Sequence, residues 1–161
     1  MRASLMKKKL LTTLASILLM TAVSAQEPAS LPPAPDKDPF VGTWQANREK
    51  SRPKLGKREA SYTRTIARDG EDLVFSSRIG TSRAGQNNYK IRCDGRFHRV
   101  PFGSLSCKYN APNLIEGETI SDSHDYWTRE VSADGQEMKI SAYKNSRRTK
   151  LESIWILDRV K

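Results

Sequence analysis

The sequence has only two histidines and two cysteines among its 161 residues. His98 and His124 have no ligand-like spacing, and Cys93 and Cys107 form no Cys-x-x-Cys pair, so the pattern that zinc sites share is missing. We therefore expect no metal site, and no motif in the sequence predicts any other cofactor.

Motifs for nucleophilic catalysis and for phosphate binding are also missing, since neither Gly-x-Ser-x-Gly nor Gly-x-x-x-x-Gly-Lys occurs. The segment from Ser121 to Asp125 contains serine, histidine and aspartate, but a catalytic triad is assembled from distant segments rather than from neighbours. We interpret this segment as a polar hairpin, His98 as an exposed strand residue, and Glu116 and Glu118 as an outward acidic face. The sequence favours a non-catalytic protein over an enzyme.

Long apolar runs are scarce, and the one near the N-terminus, from Leu10 to Val23, spans 14 residues. An uncleaved membrane anchor would need roughly 20 apolar residues. Arg2 and Lys7–Lys9 precede the run, and the small residues of Val23–Ala25 follow it, as in an export signal. We predict a signal peptide over residues 1–25, export to the periplasm or beyond, and no membrane span after cleavage.

Acidic residues are fewer than basic ones, with 18 Asp and Glu against 28 Lys and Arg, which gives a net charge of +10. Four of the basic residues and no acidic residue lie in the predicted signal, so the remaining chain carries +6. This charge permits contact with an anionic surface but is also an ordinary means of solubility.

The basic residues outside the signal are densest in two predicted loops. These loops would form a cationic rim if they lie at one end of the domain. Aromatic residues are not interleaved with the charges, so we do not expect nucleic acid as a partner. A solvated loop is the alternative to a binding surface. The candidates for contact with an anionic surface are Arg52, Lys54, Lys57, Arg58, Arg147 and Arg148.

Five of the eight prolines fall in residues 26–39. This density opposes both helix formation and strand pairing. We predict a disordered, extended leader over residues 26–39 and a folded domain over residues 40–161.

The predicted domain lacks any helical stripe of useful length and instead shows short runs with period-two alternation, which is typical of half-buried strands. Asp69-Gly70, Asp94-Gly95 and Asp134-Gly135 separate such runs and favour tight hairpin turns. We predict an all-β fold, an antiparallel up-and-down meander of 8–10 strands that closes into a barrel. The runs are Phe40–Ala46, Ser61–Arg68, Leu73–Ile79, Tyr89–Cys93, Phe97–Val100, Leu105–Tyr109, Leu114–Ile120, Tyr126–Val131, Met138–Tyr143 and Leu151–Asp158.

An even cysteine count in an exported chain favours a disulfide between Cys93 and Cys107. Such a bond would close a loop of about 15 residues and stabilise the domain by roughly 3 kcal/mol. The predicted strand Phe97–Val100 opposes it, because cysteines two strands apart are separated by about 10 Å. The alternative is two small buried apolar side chains that do not meet.

The domain opens with Gly42-Thr43-Trp44, followed by Asn47 and Lys50-Ser51. This opening resembles that of exported bacterial lipocalin-like (calycin-type) proteins, which begin with Gly-x-Trp and continue with Asn-x-x-Lys-Ser. The resemblance implies a lipocalin-like barrel in which Trp44 closes the floor and a basic residue near the last strand, best matched by Arg159, packs across it. The middle lipocalin motif is not recognisable, and the resemblance names no ligand.

Two functions are compatible with these features. The first is a non-catalytic binding protein that holds a small apolar or amphipathic ligand inside the barrel, with aromatic residues in the walls. The second is a cell-envelope protein whose basic loops contact anionic lipid or polysaccharide. The sequence alone does not identify the side chains that would bind a ligand.

Overall fold

A computed structural model describes residues 37–80 and 86–161 of the chain. The predicted signal peptide and residues 26–36 of the predicted leader lie outside the described residues. Within the described ranges the structure contains ten β-strands and one 3-10 turn, Glu59–Ser61. None of its helical segments has the length and hydropathy that crossing a bilayer requires. The prediction of an all-β fold is confirmed.

Each strand follows one of the ten predicted runs, because alternation of apolar and polar residues buries one face of most of the strands. The largest difference is in the first strand, which continues to Arg52 instead of ending at Ala46. The strands are β1 (Gly42–Arg52), β2 (Thr63–Asp69), β3 (Asp72–Arg78), β4 (Gln86–Arg92), β5 (Asp94–Val100), β6 (Gly103–Ala111), β7 (Leu114–Ile120), β8 (His124–Val131), β9 (Glu137–Tyr143) and β10 (Leu151–Arg159).

The strands form one antiparallel sheet in the order β4-β3-β2-β1-β10-β9-β8-β7-β6-β5. The first and last strands pair, with Trp44 opposite Arg159, so the sheet curls into a barrel. β4 and β5 are the two ends of the sheet and share no ladder, which leaves a seam between them. The predicted meander is confirmed, and its barrel is nearly closed.

The extension of β1 moves Arg48, Lys50 and Arg52 from the predicted loop onto a strand. The register with β10 shifts between Asn47 and Arg52. Ser51 stabilises this irregular segment, because its hydroxyl donates to the Asn47 carbonyl at 2.6 Å and accepts from the Ile156 amide at 3.0 Å. The predicted β1–β2 loop is therefore shorter than the sequence pattern indicated.

Two of the three Asp-Gly pairs lie in hairpin turns. Gly70 and Gly135 have φ angles of 62° and 70°, which a tight turn requires and glycine adopts at little cost. The prediction for Asp94-Gly95 is wrong, since both residues belong to β5, and Asp94 pairs with Lys108 of β6. A register shift after Asp94 accommodates the glycine within the strand.

Cys93 and Cys107 are joined by a disulfide, with their Cα atoms 4.4 Å apart. The expected separation of two strands was wrong, for a physical reason. Cys93 is the residue between β4 and β5, and the next residue already pairs with β6. The chain thus brings Cys93 directly to β6. The disulfide links the end of β4 to β6 at one end of the seam between β4 and β5.

One end of the barrel is closed by side chains. Trp44 is fully buried and donates from its indole Nε1 to the Phe40 carbonyl at 2.9 Å. The guanidinium of Arg159 lies 4.1 Å from the centre of the Trp44 indole and donates to the carbonyls of Pro39 and Val41 at 2.6 and 2.7 Å. A Cβ atom at Gly42 would overlap this guanidinium, so the floor needs a glycine there.

Asp38, two residues before Phe40, also contributes contacts to the folded domain. The Asp38 side chain is 2% exposed and accepts hydrogen bonds from Arg68 Nη2 at 2.6 Å, from the Tyr109 hydroxyl and from the Phe40 amide at 2.9 Å. The last residues of the predicted leader are therefore part of the closed end.

Candidate functional site

The half of the barrel opposite Trp44 contains a cavity of about 390 Å³. It opens at the end that carries the β1–β2, β5–β6 and β9–β10 connections. Its walls are mostly apolar and aromatic, as in sites for small organic molecules. The lining residues are Tyr62, Arg64, Ile79, Asn87, Tyr89, Phe102, Leu105, Thr119, Asp125, Trp127, Arg129, Ile140, Ala142, Ser153 and Trp155.

Arg129 projects from β8 into this cavity and is only 7% exposed. Its Cζ atom lies 4.2 Å from the ring centre of Trp127 and 4.9 Å from that of Phe75. Its buried Nε has no hydrogen-bond partner among the described residues. The aromatic faces attract the cation but leave its Nε without an acceptor.

Arg64 projects from β2 into the same cavity. Its Nε donates to Ser77 Oγ at 3.1 Å, and the Tyr62 hydroxyl donates to the same oxygen at 3.2 Å. Its Cζ atom lies 5.6 Å from the Phe75 ring centre, so Phe75 contacts both cavity arginines. The two guanidinium groups therefore converge on one aromatic side chain.

Neither cavity arginine forms an ion pair with a carboxylate in residues 37–80 or 86–161. Burial lowers the pKa of Arg129, but an arginine pKa is ordinarily so high that the group stays charged. Burial would raise the pKa of Tyr89, yet the positive charges of Arg129 and Arg64 outweigh this effect and lower it. The inner end of the cavity thus has a positive field with no carboxylate paired to it, which favours an anion there.

The sequence analysis missed both cavity arginines, although a signal was present. Arg64 shares the inward phase of Tyr62 and Ile66, and Arg129 shares that of Trp127 and Val131. A charged residue in the apolar phase of a strand is rare in a packed core, because burying an unpaired charge is costly. Such residues therefore deserve to be considered as candidate ligand-binding groups.

The two basic loops do lie at the same end of the barrel, around the cavity opening. Arg52 at the end of β1 pairs with Ile154 near the start of β10, which places the β1–β2 and β9–β10 connections side by side. We call the exposed basic residues of these connections the cationic rim: Lys54, Lys57, Arg58, Lys144, Arg147 and Lys150.

The six predicted surface residues have different surroundings. Lys54 pairs with Glu49, Arg148 lies 3.7 Å from Glu116, and Arg52 donates to the carbonyls of Glu49 and Ser51, both at 2.8 Å. The other three, Lys57, Arg58 and Arg147, are exposed and form no ion pair within the described part of the chain.

The residues considered for catalysis are not brought together. His124 Nε2 lies 3.0 Å from Glu118, and its Nδ1 lies 3.2 Å from the Tyr126 hydroxyl, on the outside of the barrel. His98 pairs with Asp94 at 2.8 Å. In the ranges that the structure describes, no group of three or more His, Cys, Asp and Glu residues is placed to hold a metal ion.

No family model and no curated protein matches the chain. Solved structures with the same fold do match. The REP1-NXSQ fatty acid transporter is 14% identical, with a TM-score of 0.54 over 76% of this chain and 96% of that one. A fatty acid binding protein from Schistosoma mansoni in complex with arachidonic acid is 12% identical, with a TM-score of 0.54 over 76% and 97%.

Secretory abundant heat soluble protein 4 from Ramazzottius varieornatus is 5% identical, with a TM-score of 0.55 over 78% of this chain and 97% of that one. Likeness at these identities establishes the shared calycin-like barrel fold. The cavity of this chain must therefore be interpreted from its own residues.

Proposed function

We propose that the protein is an exported, non-catalytic carrier of a small amphipathic molecule with an apolar body and an acidic headgroup. The observation that carries this proposal is the pair of cavity arginines, Arg64 and Arg129, which lack a carboxylate partner in the described chain. A carboxylate between them would receive charge-assisted hydrogen bonds and compensate the buried charge. The apolar walls would then contact the body of the ligand.

Two further features support the proposal. Among the structures that share the fold, one is described as a fatty acid transporter and another as a fatty acid binding protein. The Cys93–Cys107 disulfide agrees with export, because such bonds persist in oxidising compartments.

The proposal is tested by titrating lipid-free protein with decanoate and with decanol while following tryptophan fluorescence. Arg129→Met is expected to weaken decanoate binding about ten- to one-hundred-fold, since a hydrogen bond to a charged group contributes about 1.5–3 kcal/mol. Decanol binding should change little. The melting temperature of the variant should be no lower than that of the parent protein, because an unpaired buried charge has been removed.

Arg147→Met is the matched control, since it removes the same group from the exposed cationic rim. It should leave both affinities unchanged. Equal binding of decanoate and decanol by the parent protein, or no binding of either, would contradict the proposal.

A second function is favoured by the position of the cationic rim around the cavity opening. Here the open end of the barrel would contact an anionic lipid surface, from which a ligand could be collected or delivered. Each basic residue near such a surface contributes about 1 kcal/mol, and salt weakens the attraction.

Sedimentation with phosphatidylglycerol vesicles tests this function. Substitution of Lys57, Arg58, Arg147 and Lys150 by glutamine is expected to abolish cosedimentation at low salt. The matched control neutralises four basic residues of the closed half (Lys37, Arg96, Lys108 and Lys161) and should retain binding. Equal loss in both variants would show only a dependence on net charge and would argue against a rim-specific surface.

A further inference from the structure

On most of the strands that line it, the cavity ends where the packed core begins. On β2 the lining stops at Arg64, on β4 at Tyr89 and on β8 at Arg129. On each of these strands, the next residue that faces the interior in the direction of the closed end belongs to the packed core. The same holds for β6, β9 and β10. These core residues are Ile66, Ile91, Cys107, Val131, Met138 and Leu157, all at most 2% exposed.

The cavity is therefore shallow, and its depth follows from the strand geometry. Asp125 lies at the mouth and Arg129 at the inner end, four residues apart on β8. Four residues of strand span about 13 Å. Barrel strands are typically tilted by 35–45°, which reduces the depth along the axis to about 10 Å.

The chemistry of the cavity also has a direction. The positively charged groups Arg64 and Arg129 lie at the inner end, whereas Asp125 and the apolar side chains Ile79 and Phe102 lie nearer the mouth. An amphipathic acid would therefore enter with its carboxylate first and leave its terminal methyl group near the opening. The reverse orientation would place an apolar tail against two guanidinium groups.

We propose that the ligand is a single unbranched acid of about eight to ten carbons, since an extended chain with C–C bonds of about 1.5 Å advances about 1.25 Å per carbon. This inference rests on the proposed carrier function and adds a length limit and an orientation to it. Longer chains gain nothing further, because the closed half is filled by side chains and carbons beyond the mouth remain in water. Phe75, beneath both arginines, is part of the layer that sets the limit.

A series of saturated carboxylates from hexanoate to hexadecanoate, titrated into the lipid-free protein, tests the length limit. Affinity should rise about fourfold for each added methylene group, the gain from burying one CH₂, and then level off near decanoate. A rise that continues to hexadecanoate would overturn the length limit while leaving the carrier function intact. Failure of every acid to bind would overturn both.

The orientation is tested with two matched isoleucine variants. Ile79→Ala, near the mouth, should weaken decanoate binding about fourfold or more, equivalent to the loss of one buried methylene contact, and leave hexanoate binding unchanged. Ile140→Ala, at the inner end on β9, should weaken the binding of both acids. An equal effect of Ile79→Ala on both acids, or an effect on neither, would overturn the orientation with the carboxylate innermost.

Discussion

Replacement of Trp44 by alanine is expected to lower the free energy of unfolding by about 3–5 kcal/mol, the range for truncating a buried aromatic side chain. The indole is fully buried, its Nε1 donates to the Phe40 carbonyl, and Arg159 lies on its face. Truncation would leave a cavity under the Arg159 guanidinium and remove the group that orders Phe40. A domain with an ordinary stability of about 5–15 kcal/mol would become marginal.

Urea unfolding followed by circular dichroism measures this effect, and two variants make the result specific. Trp44→Phe keeps an aromatic ring under Arg159 and should lose much less stability than Trp44→Ala. Trp155→Ala removes an equally large ring from the cavity wall, where the side chain is only partly buried. A loss in Trp155→Ala as large as in Trp44→Ala would contradict a special role for the closed end.

The strands could be predicted because their signal is local. The alternation of residues along a strand indicates which side is buried without any knowledge of the adjacent strands. An example is the series Leu73, Phe75, Ser77 and Ile79. The barrel then follows from short connections and the need to cover sheet edges. Where side-chain contacts from distant segments alter a strand, as Ser51 does in β1, the local pattern placed the boundary too early.

The disulfide geometry and the cavity depended on information that a local pattern does not contain. The proximity of Cys93 to Cys107 requires the knowledge that β4 and β5 do not pair. Likewise, phase shows that Arg64 and Arg129 face inward, but only the cross-barrel arrangement brings both onto Phe75. The depth at which packing begins is a property of all the strands together.

Replacement of Asp38 by alanine is expected to destabilise the protein by about 3 kcal/mol, the lower end of the range for breaking a buried ion pair. The lower end applies because Arg68 is 23% exposed and regains some hydration, whereas Asp38 is 2% exposed. The substitution would remove the acceptor of the Tyr109 hydroxyl and of the Phe40 amide. A chain shortened to begin at residue 40 would lose the same contacts and should be destabilised similarly.

Alkaline pH provides a second readout of this cluster. Burial, and then the hydrogen bond to Asp38, raise the pKa of Tyr109 above its ordinary value of 10.0. Because the folded pKa is the higher one, the contribution to stability is fully present below about pH 10 and is lost as the pH rises above it. Asp38→Ala should reduce this loss, and Tyr109→Phe should remove it.

Glu130→Ala is the matched control, because Glu130 also pairs with a basic residue, Lys139, but both of these side chains are 43% exposed. It should cost at most about 1 kcal/mol, as surface ion pairs do. The stability of this control variant should still fall as the pH rises above about 10, as in the parent protein. If Asp38→Ala were no more destabilising than this control, the contacts before Phe40 would not contribute to closing the barrel, and the folded domain would begin at Phe40 itself.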